Sequence, residues 1–162
     1  MVEGEVLAKI DTFLKKEGVI MPKGPIQEFY SQLLKLAGFG AGALLTFSGK
    51  KAGKIAGGYL KNLIGKENPP LEEITEYVDI FLEEAGICKE VSFERKENKQ
   101  LLVRVKGSIF TEGHESKKPV CMPLSGALSG VFEEIMGGPW ECKELECQAQ
   151  GKEFCLFELR VK

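Results

Sequence analysis

Apolar residues recur along this chain at two periods, and the change from one to the other outlines the fold. Val6, Ile10, Phe13 and Leu14 line one side of a helix predicted over 5–17, which Gly18 ends. A second helix, 25–37, is expected to bury Ile26, Phe29, Tyr30, Leu33 and Leu36, and a third runs over 41–64. After the break at Asn68-Pro69-Pro70 a fourth, 71–85, carries Ile74, Tyr77, Val78, Phe81 and Leu82 up to Gly86. The period then drops to two. Strands are predicted over 87–95 and 101–109, turning at Lys96-Glu97-Asn98-Lys99. Helical spacing returns after Cys121 (Leu124, Leu128, Val131, Phe132, Ile135) and stops at Gly137-Gly138-Pro139. Two short alternating runs joined across Gly151 close the chain. The pattern is α+β in a single domain, 1–162. A helical part, 1–86, precedes a hairpin-helix-hairpin part, 87–162, whose hairpins join into a four-stranded antiparallel sheet under the helices.

Composition narrows the function classes. The 162 residues carry a net charge of −2, with 43% hydrophobic and 28% charged positions, so nothing steers the chain towards nucleic acid. The least polar run, 36–47, is too short and glycine-rich to span a bilayer. No leader pattern opens the sequence, and a cytoplasmic location is expected.

The third helix is unusual in repeating glycine at 49, 53 and 57 beside Ala52 and Ala56. Each helical glycine costs about 1 kcal/mol relative to alanine, so a stripe implies something pressed close. That something is either another helix, in this chain or a dimer partner, or a flat ligand against bare backbone. Two nucleotide motifs nearby fail. Gly38-Phe39-Gly40-Ala41-Gly42-Ala43 follows a helix where the dinucleotide fingerprint needs a strand, and Gly49-Lys50-Lys51-Ala52-Gly53-Lys54 is one residue short of a phosphate loop. Lys50, Lys54 and Lys61 read as a solvated helix face.

The last forty residues hold four of the five cysteines. In the final hairpin Cys155, Phe157, Leu159 and Val161 share one face, and Leu145, Cys147 and Ala149 share another. The faces coincide if Cys147 opposes Cys155 and Leu145 opposes Phe157 across a Gln150-Gly151-Lys152 loop. Two adjacent thiols can be a disulfide, an inert buried pair or two corners of a metal site.

The pattern Cys121-x4-Gly126-x3-Gly130, then Glu144-x2-Cys147, Gly151 and Cys155-x-Phe157, resembles the 4-vinyl-reductase domain family. That family includes sensor domains of aromatic-responsive transcription activators and is distantly similar to vesicle-tethering subunits. The resemblance implies the same α+β layout, often as a homodimer, and a structural zinc ion held by Cys121, Glu144, Cys147 and Cys155. Thiolates bind zinc at about 2.3 Å, and four protein ligands leave no open position for a catalytic water. Simple alternation points Glu144 away from Cys147, which favours His114 as the alternative fourth ligand. Glu144 can serve only if the strand is bulged between Glu144 and Cys147. Lys143, Lys152 or backbone N–H groups are expected to donate to the sulfurs.

No catalytic constellation is evident. His114, the single histidine, lies on the polar loop 111–118 with no nucleophile beside it; Glu133 and Glu134 are expected to face solvent, and Cys88 to be buried and inert. Cys142 falls on the strand face opposite Cys147. The leading expectation is a module that binds an apolar or aromatic small molecule and acts through a separate protein partner. Phe47, Tyr59, Phe81 and Cys142 are the candidate pocket residues. The aromatic sensors' histidine and tryptophan have no counterparts in place here, so phenol sensing does not carry over. An assembly adaptor resembling the tethering subunits is the alternative. A tetrapyrrole vinyl reductase is the third reading, and it lacks a nicotinamide or flavin motif.

Overall fold

In the computed structural model, which describes residues 3–37, 40–97 and 99–162, the two periods resolve into five α-helices and four strands. Gly38 and Phe39 of the rejected fingerprint, and Asn98 of the first hairpin turn, lie outside the described residues. The helices are α1 (Glu3–Glu17), α2 (Lys23–Leu36), α3 (Ala41–Ile64), α4 (Leu71–Glu84) and α5 (Met122–Met136). The strands are β1 (Glu90–Arg95), β2 (Gln100–Lys106), β3 (Trp140–Glu146) and β4 (Cys155–Val161), ordered β1-β2-β4-β3 with every pair antiparallel. The fold is α+β, with helices over a four-stranded sheet and α5 between its two hairpins. Among the described residues no helix is long and apolar enough to cross a membrane. Gly49 to Lys54 run inside α3, so they form no loop that could cradle a phosphate.

The sheet presents Val103, Val105, Cys155, Phe157 and Leu159, all fully buried, to the helices. Helix α5 is buried around most of its circumference, as expected of a central helix, and lies between the sheet and α3. The glycine stripe explains how closely α3 approaches it. A Cβ on Gly49 would stand 2.2 Å from the Pro123 carbonyl oxygen, and one on Gly53 2.2 Å from that of Ala127. The fit is mutual, since Gly126 and Gly130 of α5 face the backbone of α3 at Thr46 and Lys50. The close neighbour is therefore a helix of the same chain, and no dimer axis is needed to account for the stripe.

Three sequence expectations are corrected. Helix α2 buries only Tyr30 of its five expected residues; Phe29 is 69% and Leu36 83% exposed, because the helix lies at the periphery and touches the body through one edge. Glu133 does not face free solvent. Its carboxylate takes Lys50 Nζ and Lys54 Nζ, each at 2.6 Å, and accepts from the Trp140 backbone N–H at 3.3 Å. Those lysines are thus a clamp between α3 and α5. Lastly, β3 shifts register between Glu144 and Glu146: Glu144 opposes Phe157, and Leu145, expected there, is extruded and 41% exposed.

The clamp gives a pH-dependent contribution. Lys50 first, then Lys54, hold the Glu133 carboxyl down to about 2, against about 4.3 for a free glutamate. A depressed carboxylate stabilises the fold above its unfolded value and loses that contribution as pH falls towards 2. Because all three side chains are partly exposed, Glu133→Gln is expected to cost about 1 kcal/mol at pH 7. Urea unfolding at pH 7 and pH 2.5 checks this. A gap between the two proteins that fails to narrow at low pH would rule the clamp out as its source.

Candidate functional site

Four side chains from three elements converge where α5 begins. Cys121 is the N-cap of α5, Glu144 comes from β3, Cys147 from the turn after it, and Cys155 opens β4. The hairpin turn is a short 3-10 turn, Gln148–Gln150, closed by Gly151 at φ 80°, where a side chain would be strained. The register shift in β3 is what brings Glu144 in. Without it Glu144 and Cys147, three residues apart, would point to opposite faces. It also returns Cys142, opposite Leu159, to the same inward face as Cys147, contrary to simple alternation.

One ligand atom from each of Cys121, Glu144, Cys147 and Cys155 lies within 4.8 Å of all the others. The Cys155 sulfur is 3.8 Å from that of Cys121 and 3.9 Å from that of Cys147. These separations are far from a disulfide bond, and all five cysteines are free. They equal the edge of a tetrahedron with 2.3 Å metal–sulfur bonds, about 3.8 Å. Glu144 Oε2 accepts from the Cys121 backbone N–H at 2.8 Å, while Oε1 is buried with no hydrogen-bond partner. A buried orphan oxygen is costly unless something fills its lone pairs, and a cation does so. The donor set fits a thiophilic dication.

The electrostatics agree with that fit. Burial pushes the Glu144 carboxyl up to about 8, with the Cys147 thiolate adding to the effect. Hydrogen bonds from Cys121 and then Cys155 pull the Cys147 thiol far down, and the same bonding drives Cys121 far up. The backbone N–H of Gln148 donates to Cys155 Sγ at 3.3 Å. His114 falls outside the cluster; its ring stands edge-on to Tyr30, at 5.9 Å between centroids. Tyr30 in turn donates to the Val120 carbonyl, tying α2 to the residue before Cys121.

A second feature lies on the other flank of α5. A cavity of about 240 Å³ is enclosed by α3, α4 and α5, with Gly53, Ala56, Leu60, Phe81, Phe110 and Leu128 among its walls. Of the candidate pocket residues only Phe81 lines it. Phe47 and Tyr59 sit on the exposed side of α3, 60% and 43% exposed, and Cys142 is not in the wall. The small residues of α3 that sequence reasoning assigned to close packing form part of this wall as well. Cys88 is buried, with its thiol pushed up to about 12 chiefly by burial, as suits an inert cysteine.

Solved structures with the same fold were found. The phenol-responsive sensory domain of the transcription activator PoxR, solved with phenol, superposes with a TM-score of 0.81 at 17% identity, over 99% of this chain and 90% of that one. A trafficking protein particle complex subunit 3 from Naegleria fowleri, covalently bound to palmitic acid, gives 0.69 at 14% identity, over 86% and 95%. A vinyl-4-reductase family protein from Methanocaldococcus jannaschii gives 0.55 at 21% identity, over 99% and 94%. No curated protein matches the chain in sequence. The family match covers the strand, helix and hairpin that carry the four-ligand cluster: residues 101–161 are a 4-vinyl-reductase domain.

Proposed function

We propose that this chain is a cytoplasmic binding module for an apolar small molecule, acting as one domain and stapled by a structural zinc ion. The observation that carries the reading is the 240 Å³ apolar cavity walled by three helices, the kind of concave, preformed site that small ligands occupy. Likeness in fold to a sensor solved with phenol supports it. Zinc is the assigned metal because three sulfurs and one carboxylate at tetrahedral spacing suit it, and Cys121, Glu144, Cys147 and Cys155 would hold it. Such a site adds no chemistry of its own. It fixes the hairpin to the start of α5, the helix that also walls the cavity. A thiolate site of this kind belongs in a reducing compartment.

Assembly follows from the far side of α3. Leu44, Phe47, Ile55 and Tyr59, all exposed, lie on the face opposite the glycine stripe. A second copy of the chain would cover them, with any signal passing to a separate partner. The same face favours the second reading, an assembly adaptor, and the tethering-complex subunit with this fold is in keeping with it. Native mass spectrometry of freshly purified protein separates the two. A dimer with one zinc per chain and a retained small molecule is expected; a metal-loaded protein that retains no ligand, and whose melting temperature no apolar compound raises, would leave the adaptor.

A further inference from the structure

We infer that the cavity selects hydrocarbons, of one substituted ring to two fused rings, against their hydroxylated counterparts. The inference rests on the ligand-binding reading above and concerns what that site admits.

The wall is the argument. Leu60, Val78, Phe81, Phe110, Leu124 and Leu128 are typical of it, and none of its side chains carries an oxygen or nitrogen atom. Polar side chains on the same elements are committed elsewhere. Ser125 donates to the Cys142 carbonyl at 2.8 Å and Ser129 to that of Gly126 at 2.9 Å, both within or behind α5. Thr46 donates back to the Gly42 carbonyl at 2.8 Å along α3. Lys50 and Lys54 are taken by Glu133, and the Tyr30 hydroxyl by Val120. The backbone around the cavity is largely helical, so its N–H and C=O groups are mostly paired along the helix. A hydroxyl carried into this space therefore gives up water and finds no partner.

Size sets the other limit. An apolar cavity of about 150 Å³ stays dry and admits benzene. At 240 Å³ this one has room for a second ring or several more carbons. The relative solved with phenol takes a hydroxylated ring; this chain, with the same fold, offers that hydroxyl no partner.

Isosteric pairs test the selectivity on the full chain: naphthalene against 2-naphthol, and p-xylene against p-cresol, by titration calorimetry. The hydrocarbon of each pair is expected to bind roughly ten- to hundredfold more tightly, the penalty for one unpaired hydroxyl in an apolar pocket. Ala56→Leu, which fills the cavity from α3, is expected to abolish that binding while leaving the melting temperature of the ligand-free protein equal or higher. Naphthol or cresol binding as tightly as its hydrocarbon, and weakened by Ala56→Leu, would overturn the selectivity and leave the binding reading standing. Binding that Ala56→Leu leaves unchanged would place the ligand elsewhere and overturn the inference. Failure of all four compounds to bind would sink the binding reading itself.

Discussion

Cys147→Ser and Cys155→Ser are each expected to lose the metal and loosen the β3–β4 hairpin from α5. Serine keeps the volume but offers a hydroxyl that does not ionise at neutral pH, so a thiolate corner is removed outright. Structural zinc binding is coupled to folding and is worth on the order of 10 kcal/mol in small zinc domains. Part of the hairpin is held independently by Phe157 and Leu159 in the core, so a loss of several kcal/mol is expected here. Glu144→Gln keeps an acceptor for the Cys121 N–H but loses the charge, and is expected to speed metal loss to a chelator without unfolding the protein. His114→Ala is expected to leave metal retention unchanged, because the ring lies outside the cluster. Metal binding must also displace protons from the raised Glu144 carboxyl and from thiols, so affinity should rise with pH. Metal content by mass spectrometry and urea midpoints with and without chelator check all four. Metal stripped by His114→Ala and retained by Glu144→Gln would show that the ligand set is wrong.

The bulge in β3 marks where sequence reasoning stops. Alternation alone predicts Leu145 opposite Phe157 with Glu144 turned outward, and it is correct only on the cysteine side of the bulge. There Glu146 opposes Leu156, the register that puts Cys147 beside Cys155. A bulge has no composition of its own, since one extra residue in a strand looks like any other. What pointed to it was the spacing Glu144-x2-Cys147, which makes sense only if both face the same way. Helix α3 was legible to its ends, with Gly65 left-handed at its close and the proline break soon after. Helix α2 was not, because its apolar spacing does not say whether a partner within the chain covers it, and Phe29 and Leu36 lie open. The cavity was misplaced for a related reason. Large residues such as Phe47 and Tyr59 attract attention as pocket walls, yet it is the small ones, Gly53 and Ala56, whose missing volume helps create the space. The signal was present in the glycine and alanine stripe, which serves both close packing and an unfilled gap.

Gly53→Leu is expected to destabilise the protein by several kcal/mol, and Gly58→Ala, five residues along the same helix, to stabilise it slightly. Both glycines have ordinary helical backbones, so propensity favours each substitution by up to about 1 kcal/mol. What separates them is the neighbour. A Cβ on Gly53 would sit 2.2 Å from the Ala127 carbonyl oxygen and 2.7 Å from its Cα, whereas one on Gly58 meets nothing within 4 Å. Overpacking usually costs about 1–3 kcal/mol when side chains can rotate aside. Here the obstacle is backbone, and the Gly126 and Gly130 contacts lie in the same interface, so relief requires α3 and α5 to separate along their length. Separation would also stretch the Glu133 clamp and open the cavity wall, which links the loss of packing to a loss of ligand binding. The cost falls within one chain, so the variant's mass in solution should not change even as its urea midpoint drops. If Gly53→Leu instead dissociates a dimer at unchanged chain stability, the stripe packs against a second copy and the α3–α5 contact is not the one that glycine serves.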